Sequence, residues 1–388
     1  MPWTQAGPRV TALGGGHGLA ASLAALRLLT TALTAVVTVA DDGGSSGRLR
    51  HEFDILPPGD LRMALAALCD DDELGRRWAD VLQARFPGEG PLGGHSIGNL
   101  LIAGLWQQLD DPVAGLDMVA TLLQARGRVL PMAMVPLVIE ADVIGADSAH
   151  PDEVTVVTGQ ENVALARGEI AEIRLTPAEP PACPEALASI RKSDFVVLGP
   201  GSWFSSVIPH LMVPELARAL VETPARRILT LNLVPFEETE GYTAARHIEL
   251  IAEHAPLLRL DYVVADATFV RGDRHLASFV ESLGGQLVVA DVRMRDGSPR
   301  HDPRRDTDGS RQQGHGAGEI FAMTAPGVAQ EIRQRCAPCE GVGLNQAVFE
   351  IDEKELANAL GALRDGPSPE RLAGIPALDL ARRRHELR

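Results

Sequence analysis

Apolar and polar positions along this chain repeat in two periods that keep exchanging. Residues 9–13 (Arg-Val-Thr-Ala-Leu) are a short β-prone run, the next five positions hold four glycines, and Leu19 to Leu29 spaces its apolar residues as a helix does. A second β-prone run, Leu33 to Ala40, ends in Asp41-Asp42-Gly43-Gly44. Strand, tight loop, helix and strand in 44 residues predict one βαβ unit of a parallel sheet. Its extension is a Rossmann-like, doubly wound α/β fold with a mostly parallel sheet.

Further along, Pro57-Pro58-Gly59-Asp60 punctuates the chain before an apolar helix over Leu61 to Leu68, with Asp60 expected to cap it. Another helix is expected from near Ser96 to Leu109. From about 128 to 177 the period shortens to β-type alternation, as in Val154-Thr155-Val156-Val157 and Ile170 to Leu175, and predicts an antiparallel insert. The βα pattern then resumes. Asp194 to Leu198 reads as a buried strand, Gly199-Pro200-Gly201-Ser202 as a loop, Pro214 to Val221 as a helix, and strands follow near Arg227–Leu233, Tyr262–Ala265 and Gln286–Val292. Residues 295–319 carry too little apolar surface to offset the entropy of ordering and predict a mobile loop; a helix is expected over Glu353–Arg364. These signals divide the chain into an α/β domain over 9–303 and an extension over 304–388 with no assigned role.

Composition narrows the function. With 45% apolar and 23% charged residues, 388 residues are enough for one large or two modest cores, so a disordered chain is excluded. The 36 basic against 52 acidic residues leave a net charge of −16, which repels polyanions, and 15 aromatics offer few stacking platforms; nucleic acid is not an expected partner. No apolar stretch is long enough to span a bilayer and no leader pattern opens the chain, so a cytoplasmic protein is expected. Four cysteines are too few for a disulfide framework.

Several segments could carry chemistry. Gly14-Gly15-Gly16-His17-Gly18, between strand and helix, lets a phosphate approach amides at the positive end of a helix, although a plain tight turn explains it as well. Leu19 stands where the dinucleotide fingerprint needs its third glycine, so a nucleotide is indicated and NAD is not. In Asp41-Asp42-Gly43-Gly44-Ser45-Ser46-Gly47-Arg48, carboxylates at a strand end can accept sugar hydroxyls while Ser45, Ser46 and Arg48 donate to an anion; a solvated turn is the duller explanation.

Asp60 and Arg62 place opposite charges at a helix start, which alone signifies only capping. His95 and Asn99 are expected one helical turn apart, beside glycines. Gly199, Gly201 and Ser202 repeat the first loop's logic in the second half, so that two anion-receptive loops share one sheet edge, as a diphosphate carrying a group at each end requires. Glu237-Glu238-Thr239-Glu240 follows a strand but has the look of a solvated loop. Cys336-Ala337-Pro338-Cys339 has the spacing of a zinc half-site without the second pair of ligands. A Walker A lysine and a His-Glu-x-x-His site are missing.

Taken in order, Gly14–Gly18, Val37 to Arg50, Leu56 to Arg62, Gly94 to Leu100, Gly127 to Pro131 and Gly199–Ser202 resemble the YvcK/CofD-like family, from about Val10 to Pro303. The Gly-Gly-Ser-Ser-Gly-Arg and Pro-Pro-Gly-Asp segments resemble its YvcK branch, the gluconeogenesis factors that bind UDP-sugars. The resemblance implies a regulatory protein that binds UDP-N-acetylglucosamine or a related nucleotide sugar, is needed for gluconeogenic growth, cell-wall synthesis and cell shape, and acts with cell-wall synthesis proteins as candidate partners. It also implies that Arg300, in Arg300-His301-Asp302, pairs with the pyrophosphate.

His17, Met63 and the loop 234–237 depart from the family pattern. The other arm of the family implies the alternative of a transferase that moves a phospholactyl-type group from a nucleoside diphosphate donor. Asp41 or Asp42 would then hold Mg or orient the acceptor, with His95 as base. No cofactor is otherwise required, NAD(P) could enter the same crevice by its pyrophosphate, and a homo-oligomer is left open.

Overall fold

The computed structural model describes residues 7–290 except 28, 148, 149, 151, 234, 236, 268 and 274. The first half contains β1 (Val10–Gly14), α1 (Gly16–Leu26), β2 (Leu33–Val37), α2 (Gly44–Phe53), α3 (Pro58–Ala67), α4 (Glu73–Gln83), α5 (Ile97–Leu109) and α6 (Pro112–Leu123). Then come β3 (Arg128–Pro131), β4 (Val138–Ile144), β5 (Val154–Thr158), α7 (Gln160–Ala164) and β6 (Glu169–Thr176). The second half holds α8 (Pro184–Lys192), β7 (Phe195–Leu198), a π turn at Trp203–Val207, α9 (Ile208–Met212), α10 (Pro214–Glu222), β8 (Arg226–Thr230), a 3-10 turn at Glu237–Thr239, α11 (Ala244–His254), β9 (Tyr262–Asp266), α12 (Leu276–Ser282) and β10 (Gln286–Ala290).

Seven strands form one sheet in the order β10-β9-β8-β7-β1-β2-β3, and every pairing in it is parallel. The chain winds outward from β1 toward β3, returns, and winds outward again from β7. The two halves therefore meet between β1 and β7, where the strand order reverses and a crevice opens at the carboxyl ends. Such strands are covered on both faces, which is why β1, β2 and β7 read as nearly continuous apolar runs: Ala12, Leu13, Val36, Val37, Val196 and Leu198 are all buried.

The expected insert is a three-stranded antiparallel sheet, β5-β4-β6. Its alternation is that of a half-covered sheet, with Ile139, Ala141 and Val143 of β4 inward and Glu140 and Asp142 outward. The insert begins later than expected, because β3 (Arg128–Pro131) pairs in parallel with β2 and belongs to the main sheet.

Three local readings also change. The segment after Asp42, where no helix was expected, is the helix α2. Asp60 is the third residue of α3, whose cap position is Pro57, so its carboxylate is released from capping. His95 precedes the cap residue Ser96 of α5 and shares no helical turn with Asn99. Helices α4 and α6, which the apolar pattern left unassigned, are each capped by an aspartate: Asp72 accepts from the Gly75 amide at 2.6 Å and Asp111 from Val113 at 2.9 Å. The expected loop at 295–319, helix at 353–364 and Cys336–Cys339 lie outside the described residues, as does Arg300.

Candidate functional site

The crevice at the reversal point is built from two glycine loops pressed together. Gly18 lies so close to the second loop that a Cβ on it would stand 2.3 Å from the Pro200 carbonyl oxygen. Only a residue without a side chain allows this approach. The second loop is held from behind by Asn232, whose side-chain amide accepts from the Gly201 N–H and donates to the Gly201 carbonyl, both at 3.0 Å. Gly199 and Gly201 adopt positive φ (+73° and +153°), which glycine tolerates without cost.

Helices α1 and α2 start on the same device. Each follows a capping glycine, Gly15 or Gly43, with a second glycine at positive φ, Gly16 at +55° and Gly44 at +46°. Neither cap offers a side chain, and of the opening amides that of Gly16 is instead bound by the Asp60 carboxyl. The starts of α3 (Gly59, Asp60) and α5 (Asn99) line the same cleft. Four positive helix ends thus converge on a space of about 500 Å³.

A buried polar cluster fixes these ends relative to one another. The Ser45 hydroxyl oxygen accepts from the Asn99 side-chain amide at 3.0 Å and from the Ser96 N–H at 3.4 Å, and lies 3.0 Å from Nδ1 of His95. A hydroxyl with two incoming donors has only its own proton left to give, so it donates to His95, which is then the neutral Nε2–H tautomer. Loss of solvent and the charges of Arg48 and Arg85 hold His95 below its ordinary pKa, in agreement with that assignment.

Arg62, 5% exposed, donates from Nε to the Asn99 side-chain oxygen at 2.8 Å and from its other end to Gln83. Gly98 admits the Arg62 stem, which would lie 2.8 Å from a Cβ there. Arg48 reaches the Gly93 carbonyl at 2.8 Å.

Against this positive lining stand two acids. Asp41 accepts from the Gly43 N–H at 3.0 Å and from the Ser46 hydroxyl. Asp60 accepts from the Gly16 N–H, while its Oδ2 is fully buried without a hydrogen-bond partner. Both carboxyls are pushed up, first by burial and then by a neighbouring carboxylate: Asp41 by Asp42, and Asp60, to about 7, by Asp41. At neutral pH the lining therefore carries fewer negative charges than its aspartates suggest.

Gly15 and Gly59 give these acids room. A Cβ on Gly15 would lie 2.6 Å from Asp60 Oδ2, and one on Gly59 would lie 2.4 Å from Asp41 Oδ2. Asp42 is used differently: its carboxylate accepts from the Glu161 N–H at 3.2 Å, and Gly159 leaves space for it, so it ties the insert to the main sheet.

That tie brings α7 into the cleft as a third wall of Gln160, Glu161, Ala164 and Leu165. The second half contributes Ser202 and, from the π turn, Ser205 and Ser206. His210 sits beneath this turn with Nδ1 3.0 Å from the Ser206 carbonyl oxygen and Nε2 3.1 Å from that of Val36 in β2. Burial pushes it down to about 4, so the neutral ring donates to one carbonyl at a time.

Of the residues singled out from sequence, Gly15, Gly16, His17, Gly18, Asp41, Gly43, Gly44, Ser45, Ser46, Asp60, Arg62, Asn99 and Ser202 line one cleft. Gly14, Asp42, Arg48, His95, Gly199 and Gly201 are not among its lining residues. Glu238, read as solvated, is instead buried and accepts from the Phe204 N–H at 3.1 Å, which braces the π turn.

Residues that the sequence reading did not assign are Arg85, Gln160, Glu161, Ser205 and Ser206. The two serines lie just past Gly199–Ser202, and no local signal marks the insert residues. A larger cleft, about 560 Å³, opens at the amino ends of the strands, but its arginines are already paired, Arg9 with Asp194 at 3.1 Å and Arg128 with Asp117 at 2.6 Å. The functional side of a parallel sheet is the other edge. Among the described residues no group of three or more His, Cys, Asp and Glu is placed to hold a metal ion. No helix among them is long and apolar enough to cross a membrane.

Comparison with known proteins agrees with this fold. The family model described as 2-phospho-L-lactate transferase CofD matches residues 10–294. A Mycobacterium tuberculosis protein named "Putative gluconeogenesis factor" is 52% identical over 298 residues, 76% of this chain and 86% of that one. The gluconeogenesis factor of Halalkalibacterium halodurans is 39% identical over 287 residues, 74% of this chain and 85% of that one. The crystal structure of a UPF0052 family member from Bacillus halodurans superposes with a TM-score of 0.66 at 33% identity, covering 75% of this chain and 94% of that one.

Proposed function

The chain belongs to the CofD family, and from that premise we propose that it is a regulatory factor for gluconeogenic growth that binds UDP-N-acetylglucosamine or a close relative. The observation that carries this reading is the convergence of four helix N-termini and two side-chain-free loops on one cleft at the strand-order reversal. Amides fixed by the surrounding fold stabilise the two charges of a diphosphate without reorganising, and the space suits a ligand with a group at each end. Asp60, which burial holds partly protonated at neutral pH, lets this happen beside carboxyls that would otherwise repel it. Names borne by the relatives support the link to gluconeogenesis. Control of cell-wall synthesis and cell shape, through protein partners that sense the occupied cleft, is the downstream part of the proposal. Isothermal titration of the purified chain with UDP-N-acetylglucosamine tests it: saturable one-site heat is expected, and no heat at millimolar ligand with a folded sample refutes it.

A second reading is favoured by one specific observation, the Asp41–Asp60 pair with its unpartnered Oδ2. Two converging carboxylates are hard oxygen donors that fit Mg²⁺, whose remaining positions are usually taken by water and phosphate oxygens. A bound Mg²⁺ would neutralise charge on a departing nucleotide. The chain would then be a transferase that moves a phosphate-linked group from a nucleoside diphosphate donor, with Asp41 and Asp60 holding the ion and the helix ends orienting the donor. Incubation with UDP-sugar and GDP-type donors, Mg²⁺ and phospho-acceptors distinguishes the readings. Release of UMP, UDP or GMP supports transfer, and its absence across the panel supports binding alone.

A further inference from the structure

The cleft has one wall that the glycine loops do not explain. Gln160 and Glu161 open α7, on the insert, and face the same space as Asp41 and Asp60. Gln160 Oε1 is buried with no hydrogen-bond partner, as is Asp60 Oδ2. A buried acceptor left unpaired is destabilising, and a ligand donor would relieve that. Glu161 lies against the turn that opens α2, its Oε2 2.7 Å from where a Cβ on Gly43 would stand. On the same short helix Ala164 and Leu165 add an apolar strip, with Leu165 43% exposed.

This wall is rich in acceptors and carries carboxylate. A uracil ring presents two carbonyl oxygens and a single N–H, and of this wall only the Gln160 amide could donate to those oxygens, while Glu161 offers acceptors alone. A neutral pyranose presents several hydroxyl donors on its rim and C–H groups on its faces, which match the acceptors and the apolar strip. A sugar bearing its own carboxylate would be repelled by Glu161.

We propose that Gln160 and Glu161 are specificity-determining residues for the non-nucleotide end of the ligand: Gln160 Oε1 accepts from a hydroxyl or amide N–H of a neutral sugar, and Glu161 excludes uronic acids. The helix reaches the cleft because Asp42 holds the Glu161 amide at 3.2 Å, so the insert acts as the selectivity module of the domain. This inference rests on the nucleotide-sugar reading above, and its test separates the two.

Titration calorimetry of the full chain and of Gln160→Ala, Gln160→Glu and Glu161→Gln uses UDP, UDP-N-acetylglucosamine and UDP-glucuronate, with thermal melts confirming that each variant folds. Gln160→Ala is expected to weaken UDP-N-acetylglucosamine about three- to tenfold, as loss of one hydrogen bond does, while leaving UDP within about twofold. Gln160→Glu, which keeps the acceptor but adds a charge, should shift UDP and UDP-N-acetylglucosamine by the same factor, and Glu161→Gln should raise the relative affinity for UDP-glucuronate. Equal weakening of UDP and the sugar nucleotide by Gln160→Ala, no change in either, a loss of the sugar nucleotide relative to UDP in Gln160→Glu, or an unaltered uronate ratio in Glu161→Gln would overturn the assignment alone. Wild-type protein that binds none of the three ligands overturns it together with the nucleotide-sugar reading.

Discussion

Replacing Asp60 by asparagine tests the electrostatic design of the cleft. Burial and the neighbouring Asp41 move the Asp60 carboxyl from an ordinary 3.8 to about 7. In the unfolded chain the group loses its proton near 3.8, so between that pH and about 7 the native state holds a proton that the unfolded state does not. Stability must therefore fall as pH rises through this window and level off above it.

Linkage with these two values gives a loss on the order of 2–3 kcal/mol between about pH 5 and pH 8. The amide introduced by Asp60→Asn is isosteric with the carboxyl, can still accept from the Gly16 N–H, and has no proton to lose. Urea denaturation of both proteins at pH 5, 6, 7 and 8 is the assay. The variant is expected to match wild type within about 1–2 kcal/mol at pH 5 and to exceed it by an increasing margin toward pH 8. A margin that is flat with pH, or that shrinks toward pH 8, would show that Asp60 ionises normally and that the charge balance proposed for the cleft is wrong.

Further outcomes follow from the same contacts. Gly18→Ala places a methyl group 2.3 Å from the Pro200 carbonyl oxygen, so it should destabilise the fold by about 1–3 kcal/mol in thermal or urea melts and abolish titratable ligand binding. Asn232→Ala strips the Gly201 N–H and carbonyl of their partners and should cost about 2–4 kcal/mol in denaturant midpoint measurements. In metal-free buffer, affinity for UDP-N-acetylglucosamine should weaken from pH 6 to pH 8 as the Asp41–Asp60 pair loses its proton. Titration at three pH values checks this, and Mg²⁺ that restores affinity at pH 8 would favour the transferase reading.

The sheet was legible in the sequence because its strands are covered on both faces. Runs such as Leu33–Val37 and Phe195–Leu198 have no polar side to confuse with a helix. The loops were legible because close approach demands glycine, and Gly18 against Pro200 is the physical content of that motif. Helix α2 escaped because Gly44, Ser45, Ser46 and Gly47 are poor helix formers; it stands because Ser45, Ser46 and Leu49 are buried against the rest of the site. β3 was given to the insert because a short β-prone run does not state its partner, and its partner β2 lies far back in the chain.

Asp60 looked like a cap because the cap position was taken three residues too late in a proline-led start. The wall from α7 could not be seen at all. Gln160 and Glu161 enter the cleft through tertiary contacts such as that of Asp42 with the Glu161 amide, which leave no local pattern.

The most direct test of the central claim is a crystal structure of the chain with UDP-N-acetylglucosamine. The diphosphate is expected against the amides that open α1 and α2, between Gly16–Gly18 and Gly43–Ser46, with the sugar toward α7. Density for the ligand elsewhere, such as the larger cleft at the amino ends of the strands, with only solvent at those amides, would contradict it.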